Sequence, residues 1–181
     1  MKLNKDFTFY RYGIDVRLAN EDDSEFLLSL RTNEKLSRFI HPTDNDLEKQ
    51  RKWMRDYKKR EVEGLDYYFI YSFENIPFAA NRIYDINETC ATGGSWVCKP
   101  GTEAECSVSS LLIMRDVMFE ILGLDYDKFD VRKGNKQVQK IHKMMGAEKV
   151  GETDLDYLYS LFKEDYFVRR NSIIELLNLT I

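Results

Sequence analysis

The residues of this chain that could do chemistry concentrate between Ser95 and Gly146. There SWVCK reads as a strand, PGTEAEC as a loop, and the apolar run from Ser107 as a helix. A strand turning directly into a helix makes an anion site. The first helical amides point at the loop, and the macrodipole adds about half a positive charge there. A second strand, FDVRK, is followed by Gly134 and by Asn135, a residue type that opens helices. His142 lies on the helix so begun, and His41 precedes Pro42 much earlier in the chain. Either imidazole could move a proton. Cys90, Cys98 and Cys106 are odd in number and lack a C-x-x-C pair, so neither a disulfide framework nor a zinc site is expected, and no metal is assigned.

These residues must be positioned by a larger frame. Ile14–Leu18 alternates as a first strand, and helices are expected from about Ser24 and from Asp46 to Arg60. Tyr67–Phe73, Phe78–Ile86 and Ala91–Cys98 read as three successive strands. A helix over Ser107–Leu122 stops near Gly123. Lys128–Val131, a helix from Asn135 to Gly146, a strand pair at Glu148–Glu152 and Tyr157–Phe162, and a helix over Glu164–Leu177 complete the chain. The order predicts one mixed α/β (α+β) domain over residues 1–181: about seven strands in a central sheet flanked by helices.

Composition narrows the function. With 43% hydrophobic and 32% charged residues the chain suits a soluble fold, and apolar runs fall far short of a membrane span. The run MKLNKDFTFYRY has no apolar stretch of the secretory kind, so the expected location is cytoplasmic. A net charge of −4 argues against a nucleic-acid partner. Neither G-x-G-x-x-G, a P-loop, nor G-x-S-x-G occurs.

FDVRKGNKQVQKIHKMMGAEKVGE resembles the closing motif of the general N-acetyltransferase (GNAT) superfamily, and SWVCKPGTEAECSVSSLL resembles its cofactor-binding strand, loop and helix. TNEKLSRFI and EKQRKWMRDY are similar to the acceptor-lid region of the branch with ribosomal-protein and amino-sugar acetyltransferases. The resemblance implies a splayed fourth and fifth strand, with acetyl-coenzyme A as the donor. The backbone of Trp96, Val97 and Cys98 would pair with the pantetheine amides, as an added strand does. Lys99, Gly101, Thr102, Cys106 and Ser107 would surround the pyrophosphate, and Asn135 would position the cofactor arm. His142 falls where many members carry a Tyr that protonates the departing thiolate. The family loop usually reads R/Q-x-x-G-x-G/A. Here Glu103, Cys106 and Val108 stand at its defining positions, so amides, with Lys99, Lys136 or Lys140, would have to hold the phosphates.

On this reading a primary amine, with a free pKa of about 10.4, must lose a proton before it attacks. His41 ranks first as base, ahead of a water relay through Ser95, and Glu74 and Asp85 are further candidates. The amide of Val97 or Cys98 would hold the oxyanion. The acceptor expected is a small amine, with an anionic nucleotide-linked amino sugar favoured by the basic stretch Lys49–Arg60. A monomer and a homodimer are both open. The alternative is an acyl-CoA-binding module of the same fold that is weak or inactive in catalysis, a reading prompted by Glu103 and Glu105. Either way, the chain between Trp96 and Ser107 must open a slot in the sheet.

Overall fold

The computed structural model describes residues 2–180, the side chain of Ser37 excepted. In chain order the elements are β1 (Thr8–Arg11), β2 (Ile14–Leu18), α1 (Ser24–Arg31), α2 (Glu34–Ser37), α3 (Leu47–Glu63), β3 (Asp66–Phe73), β4 (Ile76–Tyr84), β5 (Cys90–Cys98), α4 (Ala104–Asp116), β6 (Tyr126–Arg132), α5 (Lys136–Met144), β7 (Glu148–Glu152), β8 (Asp156–Phe162) and α6 (Lys163–Leu176). A π-helical segment, Val117–Ile121, prolongs α4. The strands form one sheet in the order β1-β2-β3-β4-β5-β6-β8-β7.

That is the mixed architecture expected, with three differences. The sheet has eight strands rather than about seven, because TFYR folds back as β1 on β2. A short helix, α2, precedes the loop that carries His41. And α4 begins at Ala104, three residues before the expected Ser107, since the last three residues of the polar run TEAEC are already helical.

β3 (DYYFIYSF) explains the layering. Its apolar run is buried on both faces, as a central strand must be when helices cover both sides. Tyr68 and Ile70 pack with Leu27 and Leu30 of α1 and Met54 and Tyr57 of α3. Tyr67, Phe69 and Tyr71 pack with Leu111, Ile113 and Met114 of α4 and with Tyr166 of α6. Asp46 caps α3 by accepting from the Lys49 amide, and Gly64 ends it in the left-handed conformation at φ 79°.

Two irregularities create the site. β5 pairs with β4 in register through Tyr84↔Thr92, Ile83↔Gly93 and Arg82↔Gly94 and again at Ala80↔Val97. Between these, Ser95 and Trp96 stand opposite Asn81 alone, a bulge in which Ser95 takes φ 54°. On its other edge β5 meets β6 in parallel only at Cys90, Ala91 and Thr92. Beyond Thr92 the two strands part.

Candidate active site

The bulge is supported from beneath. Asn81 is fully buried; its carbonyl accepts from the Tyr71 hydroxyl at 2.8 Å and its amide donates to the Ser110 carbonyl of α4 at 3.2 Å. The Trp96 indole donates to the Ser110 hydroxyl at 2.9 Å, so this ring is tied to α4. Past the bulge, the Lys99 amide donates to Phe78 of β4 at 2.7 Å. Strand alternation then turns the backbone of Val97 toward β4 and that of Trp96 and Cys98 toward the gap left by β6. Of the two amides expected from sequence as oxyanion donors, strand alternation turns that of Cys98 to the gap and that of Val97 to β4. Burial pushes the Cys98 thiol up to about 11, so it is a thiol rather than a nucleophilic thiolate near neutrality.

The turn after β5 is equally specific. The amide and hydroxyl of Thr102 both donate to the Lys99 carbonyl, at 3.2 and 2.8 Å. Pro100 and Gly101 occupy the two central positions, and Gly101 takes φ 85°, which the third residue of a type II turn requires. The turn delivers the chain to α4, whose N-terminus has no side-chain cap. Its first-turn amides are therefore free to face an anion. Glu103 and Glu105, the carboxylates that seemed to obstruct this loop, are exposed and lie outside the cavity wall.

The far wall is built on β6 and α5. Asn135 caps α5, accepting from the Val138 amide at 3.4 Å. His142 is buried, packs against Phe129 with ring centroids 4.4 Å apart, and places Nδ1 3.2 Å from Nη2 of the buried Arg115. Burial first, and the Arg115 charge second, hold the His142 pKa well below its usual value. It is thus a neutral imidazole at pH 7. A neutral imidazole can donate a hydrogen bond but is a poor source of a whole proton, which corrects the expectation of a thiolate-protonating acid.

Between these walls lies a cavity of about 770 Å³. Ser95, Trp96, Val97, Cys98 and Lys99 line it from β5, and Gly101, Thr102 and Ser107 from the turn and α4. Asn135 and His142 line it opposite, and His41 borders it from the α2–α3 loop. Cys106 is the predicted site residue that does not line it; its side chain packs against the core instead. Lys136 lines the cavity, whereas Lys140, Glu74 and Asp85 do not. Asp130 and Tyr84, which the sequence reading passed over, do. Asp130 is the one carboxylate among the described lining residues.

The basic stretch of α3 also needs correction. Six of its seven cations pair with neighbours, Lys49 with Asp44, Arg51 with Glu48, Arg55 with Glu21, Lys58 with Glu61, Lys59 with Asp56 and Arg60 with Asp66; Lys52 has no ion pair among the described residues, and none of the seven lines the cavity. The positive wall comes instead from Arg31, Lys35 and Arg38, for which no ion pair is formed among the described residues. Arg31 also lines a side pocket of about 270 Å³ with Trp53, Gln50 and Tyr68.

The fold superposes on apo FdhC, described as a nucleotide-linked sugar GNAT, with a TM-score of 0.84 at 33% identity, over 97% of this chain and 99% of that one. The chain belongs to the GNAT superfamily. Other GNAT folds are more distant in sequence. Ribosomal-protein-S5-alanine acetyltransferase of Vibrio fischeri matches at TM-score 0.76 and 15% identity, over 89% of this chain and 99% of that one. Mycobacterium smegmatis RimJ in complex with CoA-disulfide matches at 0.77 and 14%, over 95% and 93%. No family model and no curated protein sequence matches the chain.

Proposed function

We propose that this GNAT protein is an N-acetyltransferase that takes its acyl group from acetyl-coenzyme A and passes it to the primary amine of an anionic small molecule, a nucleotide-linked amino sugar being the favoured class. The observation that carries the reading is the gap between β5 and β6, with the backbone of Trp96 and Cys98 facing it and the uncapped start of α4 at its end. Acetyl-coenzyme A supplies the activated thioester; the chain supplies everything else. Backbone groups of Trp96 and Cys98 hold the pantetheine arm, the α4 amides with Lys99 and Lys136 hold the phosphates, and Asn135 borders the arm.

His41 and Ser95 both line this cavity, which supports roles for them on the acceptor. His41 removes the acceptor's proton, directly or through water ordered by Ser95, and Asp130 is the carboxylate among the described lining residues. The Cys98 amide stabilises the developing oxyanion, and His142 donates a hydrogen bond to the departing sulfur, which takes its proton from water. Holding donor and acceptor together in one cavity contributes up to about 7–11 kcal/mol. The acceptor's charge is argued from Arg31, Lys35 and Arg38, whose guanidinium and ammonium groups form no ion pair among the described residues, and the likeness to a nucleotide-linked sugar GNAT supports the same class.

The test is consumption of the thioester against a panel of amines: a nucleoside-diphosphate amino sugar, the free amino sugar, spermidine and a peptide N-terminus. Fastest turnover with the nucleotide-linked sugar is expected. Turnover of spermidine or peptide alone would overturn the acceptor assignment. Tight calorimetric binding of acetyl-coenzyme A with no turnover of any amine would favour a binding module. The original motive for that second reading was the acidic loop, and Glu103 and Glu105 stand clear of the cavity.

A further inference from the structure

Behind the cavity wall runs a buried polar chain that the acyl-transfer chemistry does not itself require. The Gly93 amide, on the edge of β5 that has just lost β6, donates to Oδ1 of Asp127 at 2.7 Å. Oδ2 of the same carboxylate accepts from Nη2 of Arg115 at 3.0 Å. That Nη2 also reaches Nδ1 of His142 at 3.2 Å, while Nη1 donates to the Met145 sulfur at 3.2 Å. Arg115 and Asp127 are both wholly buried. Such a pair is costly to desolvate, and apolar residues of similar volume often serve stability as well. Its retention here calls for a reason beyond stability.

The chemistry of the contact supplies one. A guanidinium has no acceptor, so in its contact with Arg115 the Nδ1 of His142 must be the acceptor and carries no proton. The single proton of the neutral ring is then on Nε2. Nε2 forms no hydrogen bond among the described residues and is not among the occluded unpaired atoms, so it is the nitrogen open to the cavity that His142 lines. We propose that Asp127 and Arg115 are positioning residues: the carboxylate occupies the Gly93 amide where β5 leaves β6, and the guanidinium it orients fixes His142 as the Nε2–H tautomer facing the reaction cavity. One device thus joins the opening of the sheet to the donor at its rim. Gly93 belongs to it, because a Cβ there would lie 2.8 Å from Asp127 Oδ1 and 2.7 Å from the Met114 methyl. The charged groups acting on the ring are Arg115 from α4 and, through it, Asp127 from β6; β8 contributes Tyr159, stacked on Phe129.

The chain has two histidines, which makes the test direct. Long-range proton–nitrogen correlation spectra of the full chain labelled with nitrogen-15 histidine report each ring's tautomer, and His41→Gln assigns the signals. The expected His142 pattern is a protonated Nε2 and a bare Nδ1, unchanged as pH falls through the ordinary histidine midpoint. A protonated Nδ1, or titration with an ordinary histidine midpoint, would overturn the proposal. In the double variant Arg115→Met/Asp127→Asn the amide oxygen can still accept from Gly93, and the expected result is a tautomer mixture that titrates higher. An unchanged spectrum in that folded variant would equally sink the idea. The kinetic arm rests on the acetyltransferase reading: kcat should fall at least about tenfold with KM for acetyl-coenzyme A changed less than about threefold, and Arg115→Lys should restore part of the loss. If no amine is acetylated, the function fails but the spectra still decide the tautomer.

Discussion

His142 shows how one residue's environment sets what it can do. Folding holds its pKa below the unfolded value, so between the two values the unfolded chain binds the extra proton. Stability is therefore full above about pH 6.5 and falls as pH drops below it, by up to about 1.4 kcal/mol per pH unit from this group. Thermal unfolding followed from pH 7.5 to 5 should show that decline, and His142→Phe should flatten it. The same variant should lower kcat more than it weakens acetyl-coenzyme A binding; equal kcat in variant and parent would reduce His142 to a packing residue. Ser95 is the complementary case. Its φ of 54° costs on the order of 1 kcal/mol for a side chain with a Cβ, so Ser95→Gly should leave stability equal or higher. If Ser95 orders the proton relay, turnover should nonetheless fall.

Among the elements, α4 couples the catalytic edge of the sheet to its other side. At its C-terminal end the buried Asp116 accepts from Tyr12 at 2.9 Å, Tyr166 at 2.8 Å and Arg170 at 2.8 Å, and pairs with Arg11 at 2.7 Å. That joins the β1–β2 turn, α4 and α6 at one carboxylate. Asp116→Ala should lower the denaturant midpoint by an amount equal to about 3 kcal/mol, because it strands buried donors as well as removing an acceptor. Glu120, which also meets Arg11 and Arg170, keeps those two charges partly paired and limits the loss. Elements with strong periodicity or end signals were legible in the sequence: β3, β5 and α5 behind Asn135 lie where their residues place them, and α3, expected from Asp46 to Arg60, runs three residues further to Glu63. The start of α4 was not, since TEAEC lacks a capping side chain and reads as loop. β1 was missed because four half-exposed residues carry no alternation strong enough to separate a strand from a loop.

Across the whole molecule, charge is distributed against the average. The chain carries −4 overall, yet the cavity wall presents Arg31, Lys35, Arg38, Lys99, Arg132 and Lys136 with Asp130 as the described carboxylate. This was the least legible part of the site. Linear sequence made α3 look like the basic surface, but carboxylates of its own turns and of other segments pair all of its cations except Lys52, and only three-dimensional placement shows which cations line the cavity. The consequence can be measured. Arg31 is held by Thr43 at 2.8 Å and lines both the main cavity and the side pocket, so it stands where an acceptor's anionic group would be recognised. Arg31→Gln keeps hydrogen-bonding capacity and removes the charge; losing a charge-assisted hydrogen bond of about 1.5–3 kcal/mol should raise KM for an anionic acceptor roughly tenfold to a hundredfold. kcat should change little, because the contact is equally strong in ground and transition states. Charge reversal at Lys52 and Arg55 on α3, by contrast, should leave KM nearly unchanged. Raising salt should increase the parent's KM and narrow its difference from Arg31→Gln, since the attraction is screened over about 10 Å at 0.1 M. A KM that responds to α3 and ignores Arg31 would return the acceptor to the outer helix and place the recognition surface elsewhere.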